Sequence, residues 1–185
     1  MEKIKYLVLL RGINVGGNNI IKMNELKKLF ENLKFTNVKT YIQSGNIMFF
    51  DYENDKIKLT EKIKKALFKK LNNEINIVIL TFSEIKEIIN KKPKGFGEDK
   101  EYKYDVIYFV KPLEPKTAIN EIKAREGIDN IYAGKNVLYI SRLIKNLTQS
   151  YLPKIIETPI YKNISIRNWN TTKKIYELME NNNKN

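Results

Sequence analysis

The order of strand-like and helix-like segments is the feature that most limits the fold of this chain. Continuous or alternating apolar residues indicate strands, and apolar residues spaced three or four apart indicate helices. By these patterns the first half has the order β-α-β-β-α-β, which is typical of the split βαβ or ferredoxin-like topology. The predicted segments are residues 4–10, 23–33, 38–42, 47–50, 55–71 and 75–80.

The second half repeats this order of elements more loosely, and no repeat is found at the level of individual residues. Pro153 is expected to interrupt one of its helical segments, because proline lacks an N–H. The predicted strands cover residues 104–110, 130–133, 136–140 and 164–167, and the predicted helices cover residues 116–124, parts of 143–156, and 171–180.

The two halves are separated by a segment with proline and glycine residues, which reads Lys-Lys-Pro-Lys-Gly-Phe-Gly from Lys91. It follows a predicted helix over residues 84–90, which Ser83 would cap. We therefore predict an α+β protein with two ferredoxin-like (split βαβ) subdomains, each with an antiparallel-containing sheet and helices on one face. The predicted boundaries are residues 1–90 for the first subdomain, 91–103 for a connecting segment, and 104–185 for the second subdomain with its C-terminal helix. The Asn-rich end, residues 181–185, is expected to fray.

The composition excludes several kinds of chemistry. Without cysteine there is no disulfide framework and no thiol nucleophile, and without histidine the commonest metal ligand and general base are missing. We predict no cofactor and no metal site. The N-terminal segment lacks the pattern of a secretory leader, and no stretch approaches the ~18 apolar residues of a membrane span. A cytoplasmic location and no membrane partner are therefore expected.

The net charge of +13 has two interpretations. A basic protein is attracted to nucleic acid, nucleotides and other phosphorylated molecules. However, the 34 basic residues include only four arginines, the side chain that binds phosphate bidentately. Lysine, asparagine and isoleucine are abundant together, as in AT-rich coding sequences, so a lysine-coated soluble surface explains the charge as well.

The first motif, Arg-Gly-Ile-Asn-Val-Gly-Gly from Arg11, follows the first predicted strand. Gly16 and Gly17 allow positive φ or close approach of a ligand to the main chain. Asn14 lies within the loop, and Lys22 stands near the start of the next helix, where N–H groups favour anions. The spacing matches neither the Walker A motif nor the dinucleotide fingerprint. The segment is either an anion-binding loop or a tight crossover that needs glycine.

The second motif, Gln43-Ser44-Gly45-Asn46, is predicted to form the tip of a hairpin. Turns with Ser-Gly need no function. Gln43 and Asn46, however, place amides where strands usually carry β-branched or aromatic residues. These amides would form hydrogen bonds either with a ligand or with the first loop, which would fix the position of the turn.

The third motif, Arg167-Asn168-Trp169-Asn170-Thr171, joins the last predicted strand to the last helix. Arg167 offers five N–H donors to a carboxylate or phosphate. Asn168 or Asn170 is a plausible N-cap. Trp169, the single tryptophan, is either a stacking platform or a packed residue at a seam between subdomains.

With these three motifs, in this order and separation, the chain resembles the bacterial domain-of-unknown-function family 1697. The resemblance covers nearly the whole chain and implies a compact cytoplasmic α+β protein with two ferredoxin-like halves. It implies no established activity, cofactor or catalytic residue.

Three hypotheses for function follow. We expect an anionic or phosphorylated ligand, such as a nucleotide or nucleic-acid segment, at the Gly/Asn/Arg-rich site. An enzyme on a phosphorylated or acyl substrate is an alternative, although Ser44 has no histidine to activate it, and Lys22 would be a base only if buried. A non-catalytic structural or protein-interaction role is the other. The predicted ligand-binding residues are Arg11, Asn14, Gly16, Gly17, Lys22, Gln43, Ser44, Asn46, Arg167, Asn168, Trp169 and Asn170.

Overall fold

A computed structural model describes residues 2–181 and contains two four-stranded antiparallel sheets. It divides the chain into two compact units. The first holds the residues up to Ile85 and those from Ile175 onward, and the second holds Lys86–Lys174. The boundaries predicted from the sequence differ from this division, because they assign the whole C-terminal helix to the second half. The predicted fraying of residues 182–185 lies outside the described residues.

The first unit has the predicted βαββαβ order. Its strand order, β2-β3-β1-β4, is that of a ferredoxin-like sheet, with β1 paired to both β3 and β4 in antiparallel register. The elements are β1 Ile4–Leu10, α1 Met23–Asn32, β2 Thr36–Tyr41, β3 Asn46–Asp51, α2 Lys56–Leu71 and β4 Ile77–Thr81, followed by α3 Phe82–Asn90.

The core of the first unit lies between one face of this sheet and helices α1 and α2. Alternate residues of β1 point to it, as the two-residue period of a strand requires. Asp55 begins α2 by accepting hydrogen bonds from Ile57 N and Lys58 N. The predicted α+β fold is confirmed in this unit, with α1 and α2 on the core side of the sheet. The sheet and helix residues of this core include Tyr6, Val8, Leu10, Leu26, Phe30, Ile47, Phe49, Leu59, Ile63 and Leu67.

Thr81, and not Ser83 as the sequence predicted, caps α3. The Glu84 N–H donates to Thr81 Oγ1 at 3.3 Å, and Thr81 N donates to Glu84 Oε2 at 2.7 Å. This reciprocal pair is a capping box. Burial of Glu84 raises its pKa, but hydrogen bonds from Lys56 and Thr81 outweigh burial and hold that pKa below its usual value.

Residues from the C-terminal helix complete the first unit. Lys5 donates a buried hydrogen bond to the carbonyl of Met179, and burial lowers the pKa of Lys5. The ring of Tyr176 stacks on Phe82, with centroids 5.7 Å apart. Ile175 and Met179 are fully buried.

The second unit has a second ferredoxin-like sheet with strand order β6-β7-β5-β8. One face of this sheet packs on Ala118, Ile122, Leu152, Ile155 and Ile160. Its elements are β5 Tyr102–Phe109, α4 Pro115–Ala118, β6 Asp129–Ala133, β7 Val137–Leu143, β8 Ile164–Asn168 and α5 Trp169–Asn181, with 3₁₀ helices at Ile119–Glu121, Ile144–Gln149, Leu152–Glu157 and Pro159–Asn163.

Two of the predicted helices in this unit are wrong in length or type. The helix expected over residues 116–124 is one α-helical turn and one 3₁₀ turn, in a segment whose β-branched residues Thr117, Ile119 and Ile122 disfavour helix. In residues 143–156 the strand β7 extends to Leu143 and only 3₁₀ helices follow it. A proline is the second residue of the 3₁₀ helix Leu152–Glu157 and the first residue of the 3₁₀ helix Pro159–Asn163. Helix α5 begins at Trp169, two residues before its predicted start.

Candidate functional site

The first motif forms a loop between β1 and α1 in the first unit, and most of its residues are exposed. Several residues of this loop, which continues past the motif to Asn19, adopt the left-handed backbone conformation, with φ between 49° and 77°. Glycine and asparagine adopt this conformation at the lowest cost, so the path of the backbone accounts for the composition of the motif. The residues are Gly12, Asn14, Gly16, Gly17 and Asn19.

Asn14 braces the loop and joins it to the hairpin of the second motif. Its Oδ1 accepts a hydrogen bond from Ile21 N at 2.9 Å, and its Nδ2 donates to Ile21 O at 3.1 Å. The same Nδ2 donates to Gln43 O at 3.0 Å. The first and second motifs therefore meet, and the contact uses the main chain of Gln43.

Asn19 forms a second brace across the loop. Its Nδ2 donates to Gly12 O at 2.9 Å, and its Oδ1 accepts from Asn73 Nδ2 at 2.9 Å. Sequence reasoning missed Asn73, which follows α2. The only available signal was Asn72-Asn73 directly after a helix, where Asn72 provides the left-handed C-cap. The two braces fix the loop on both sides of Gly16 and Gly17.

The hairpin tip is held by its own polar groups. Asn46 is fully buried, and its Nδ2 donates to Tyr41 O and to Ser44 Oγ, both at 2.9 Å. Gly45 is required here because a Cβ at this position would lie 2.8 Å from Leu10 Cβ. The Gly45 carbonyl also accepts a hydrogen bond from Leu10 N at 2.8 Å. Asn46 and Gly45 therefore build the turn.

Ile42, beside this tip, has an unfavourable backbone conformation. Its φ is 48° although it is β-branched, and its side chain is 47% exposed. Left-handed backbone at a β-branched residue is rare and costs about 1–2 kcal/mol. Sequence analysis treated Ile42 as an ordinary strand residue and missed this strain. Such strain is concentrated at functional sites.

Two cations lie at the ends of the first loop. Arg11, which directly follows β1, is half-buried, and its main-chain N–H donates to the carbonyl oxygen of Asn76 at 3.0 Å. Lys22 is exposed and occupies the N-cap position of α1, where its side chain makes no capping hydrogen bond. Lys64 donates to Asn76 Oδ1 at 3.4 Å, which brings a further positive charge to the same residue.

Glu25, in the first turn of α1, is the acidic group at this end of the helix. Lys70 lies 2.7 Å from its Oε2. The hydrogen bond from Lys70 holds the pKa of Glu25 below its usual value. Lys70 therefore balances the charge of Glu25.

The third motif lies in the second unit. Nη1 of Arg167 donates to Ser165 Oγ at 3.0 Å and to Ile166 O at 2.9 Å. Burial lowers the pKa of Arg167 to about 10, so it stays protonated at neutral pH. Asn168 caps α5 by accepting from Asn170 N at 2.9 Å, and its Nδ2 donates to Tyr104 O at 3.0 Å. The predicted capping role of Asn168 is confirmed.

Trp169 is a packed residue with only 3% of its surface exposed. Its ring meets Phe96 edge to face, with centroids 5.3 Å apart. A Cβ on Gly97 would lie 2.2 Å from Trp169 Nε1, so only glycine fits there. With so little exposed surface, Trp169 offers no open platform for stacking a base.

A pocket of about 200 Å³ lies beside the third motif. Asn170, which is exposed, and Asn168 contribute to its wall. The other wall residues carry both signs of charge, so the pocket has no net preference for anions. The lining residues are Gly97, Glu98, Asp99, Lys100, Tyr102, Lys103, Tyr104, Asn168, Trp169 and Asn170.

The structure thus joins the first two motifs within one unit, and the third motif belongs to the other unit. A single site built by all three motifs stays a prediction. Among residues 2–181 no group of three or more acidic side chains is arranged to hold a metal ion. In the same part of the chain, none of the helices has the length and hydrophobicity that a membrane span requires.

Two ferredoxin-like antiparallel sheets, one of them carrying an Asn-braced glycine loop, define an α+β protein. The chain belongs to the family described as protein of unknown function (DUF1697), which matches residues 4–139. This confirms the resemblance inferred from the motifs, the first two of which lie inside the matched region.

A solved structure shows the same fold. The chain is similar to the conserved bacterial protein SP0830 from Streptococcus pneumoniae, with 25% sequence identity and a TM-score of 0.87. The similarity covers 96% of this chain and 99% of that one. A comparison with curated proteins found no match.

Proposed function

We propose that the loop from Arg11 to Lys22, together with the hairpin tip, binds an anionic, phosphorylated ligand such as a nucleotide or a nucleic-acid segment. The observation that carries this proposal is the fixed, exposed main chain at Gly16 and Gly17. The hydrogen bonds of Asn14 and Asn19 hold the loop in shape without help from a ligand. A site that is ordered before binding loses less conformational entropy when the ligand arrives.

The two glycines leave space for a ligand at the main chain. A Cβ added to Gly17 would meet no atom within 4 Å, and one added to Gly16 would meet only the Asn18 amide, at 4.0 Å. Packing therefore does not explain why these positions are glycine. Both residues are exposed, and the proposal places a phosphate oxygen at their N–H groups, as in other glycine-rich phosphate loops.

The flanking charges support a phosphate ligand. The guanidinium of Arg11 has a planar fork that matches phosphate oxygens. The Lys22 side chain, at the N-cap position of α1, makes no capping hydrogen bond, and uncapped N–H groups at a helix N-terminus favour anions. The net charge of +13 adds a long-range attraction for polyanions.

A titration followed by ¹⁵N–¹H NMR tests the proposal with three probes: pyrophosphate, ATP and a short oligothymidylate. We expect saturable shifts of the Gly16 and Gly17 amides. Repeating the titrations at about 50 and about 200 mM salt separates the two sources of phosphate, because polymer binding weakens steeply with salt. Failure of all three probes to shift these amides at the lower salt would refute the proposal.

Charge-removing variants sharpen this test. We expect Arg11→Gln and Lys22→Gln each to weaken binding about tenfold, since a charge-assisted hydrogen bond contributes about 1.5–3 kcal/mol. Lys116→Gln removes an exposed lysine of the second unit and is the matched control. Equal affinities of all three variants and the parent protein would mean that binding is a property of the overall charge.

A protein-interaction role is the second candidate, because exposed apolar side chains occur in the same loop and hairpin. Val15, Ile20 and Ile42 are 63%, 71% and 47% exposed. A partner protein would cover them, whereas a phosphate would not need them. Val15→Gln removes the apolar side chain without adding charge, so it should leave pyrophosphate binding intact if the ligand is an anion, and should weaken capture of a partner if the loop is a protein-binding surface.

The enzyme alternative gains no support from the residues named for it. Ser44 Oγ receives a hydrogen bond from the amide of Asn46, which is not a base. Lys22 is exposed, so the burial that a lysine base would need is not met.

A further inference from the structure

The sheet of the second unit is covered less completely than that of the first. In the first unit, helices of 10 and 16 residues, α1 and α2, pack on the sheet. In the second unit the corresponding places hold the four-residue α4 and short 3₁₀ helices. A pocket of about 190 Å³ opens over strands β5, β7 and β8. It therefore lies where the second long helix of a ferredoxin-like unit would otherwise pack.

The wall of this pocket is almost entirely apolar. Leu152 and Ile155 form its inner part and are 5% and 6% exposed. Ile156 and Ile166 stand at its edge, and they are 60% and 37% exposed. Exposed isoleucines around a cavity are unfavourable in water and become covered when an apolar molecule enters. The lining residues are Asp105, Ile107, Ile140, Arg142, Leu152, Pro153, Ile155, Ile156, Tyr161 and Ile166.

An ion pair forms the polar end of the pocket. Nη2 of Arg142 lies 2.7 Å from Asp105 Oδ2, and these side chains are only 17% and 10% exposed. A guanidinium has five N–H donors, and this contact with Asp105 is the hydrogen bond that Arg142 makes within residues 2–181. Its buried Nε has no partner there. The bond to Asp105 uses Nη2 and leaves the Nη1 donors of Arg142, a residue that lines the apolar cavity, for a ligand.

From this arrangement we infer that the pocket binds a small, uncharged, mainly apolar molecule with one polar group directed at the Asp105–Arg142 pair. The charge of Arg142 is already balanced, so a second carboxylate would be repelled by Asp105, and an ammonium group by Arg142. A hydroxyl suits both, since it accepts from one and donates to the other. An apolar cavity of about 150 Å³ holds benzene, so this pocket takes a six-membered ring with one small substituent.

Three probes of equal ring size test the inference on the full chain: benzyl alcohol, toluene and benzoate. We expect benzyl alcohol to shift the NMR signals of the Arg142 side chain and of the Ile107 and Ile140 amides saturably. Toluene should shift the two isoleucine amides with little effect on Arg142, and benzoate should bind at least tenfold more weakly than benzyl alcohol. If none of the three probes gives saturable shifts, or if benzoate binds best, the inference is wrong.

Two variants examine the two ends of the pocket separately. Arg142→Lys keeps a cation for Asp105 but loses the planar fork, so it should weaken benzyl alcohol at least fivefold and leave toluene unchanged. Arg125→Lys, in the same unit, is the matched control and should change neither. Ile156→Asp, at a position that is 60% exposed, should weaken the binding of toluene and of benzyl alcohol alike.

Unchanged binding of benzyl alcohol by Arg142→Lys would overturn the assigned polar contact. If Arg142→Lys fails to fold, as thermal melting would reveal, Ile156→Asp decides the matter. Unaltered affinities in Ile156→Asp would then place the probes outside the pocket and overturn the inference.

Discussion

Replacing Asn14 tests whether the first loop is held by side-chain braces. Asn14 makes three hydrogen bonds, two to Ile21 and one to Gln43. At about 0.5–1.5 kcal/mol each, and less for the exposed bond to Gln43, their loss should lower the free energy of unfolding by about 2–3 kcal/mol. Asn14→Gly removes the bonds but accepts the φ of 55°. Asn14→Ala adds about 1 kcal/mol of backbone strain.

Urea unfolding followed by far-UV circular dichroism measures these differences. Fluorescence alone is unsuitable, because the single tryptophan, Trp169, belongs to the second unit. Asn18→Ala is the control in the same loop. Its side chain is exposed and makes one bond of 3.4 Å, to Gly16 O, so we expect a loss below about 0.5 kcal/mol.

The expected order of stability is parent, Asn18→Ala, Asn14→Gly, Asn14→Ala. If Asn14→Gly is as stable as Asn18→Ala, the brace contributes nothing and the loop is not fixed by these bonds. That result would also remove the preorganisation on which the proposed anion site depends.

Three further predictions concern other positions. Ile42→Asn should raise the free energy of unfolding by about 1 kcal/mol, because asparagine tolerates left-handed backbone, and a decrease would mean that the Ile42 side chain packs usefully. Gly97→Ala should lower the free energy of unfolding by about 3 kcal/mol or more and shift the Trp169 fluorescence emission, because the added Cβ would overlap the indole. Gly95→Ala is the control: its Cβ would meet no atom within 4 Å, so it should cost only about 1 kcal/mol of backbone strain and leave the emission unchanged. Because the pKa of Glu84 is lowered in the folded state, its carboxylate stabilises the fold at pH values above the usual carboxyl pKa, and this stability is lost as pH falls through the folded-state pKa. Glu84→Gln should therefore make the melting temperature fall less steeply on acidification. An unchanged dependence of melting temperature on pH would contradict this.

The fold of the first unit could be predicted because its local signals agree. Residues 4–10 are apolar except for Lys5, and Asp55 is a strong N-cap before a regular apolar stripe. The second unit carries weaker signals. Its helical segments contain β-branched residues and prolines at the positions that decide between α and 3₁₀ geometry, so their length and type depend on packing that a sequence pattern does not contain.

The sequence was enough to single out the loop and hairpin motifs, but the roles of their residues could not be predicted. An asparagine that braces a loop and one that binds a ligand have the same side chain. Only the positions of their partners, such as Ile21 for Asn14 and Tyr104 for Asn168, distinguish the two roles. Asn73 was missed because its contact with Asn19 joins residues 54 positions apart.

The buried contact between Lys5 and Met179 has a consequence for synthesis of the chain. The first unit needs side chains from near both ends of the sequence, whereas the second unit is one continuous segment. A ribosome therefore releases all of the second unit before the last part of the first. During translation the N-terminal sheet therefore stays incomplete until a helix that follows the whole second unit has been made. Truncation of the chain before Ile175 should accordingly leave nascent protein that is prone to aggregation and degradation, even though every strand of its first sheet has been made.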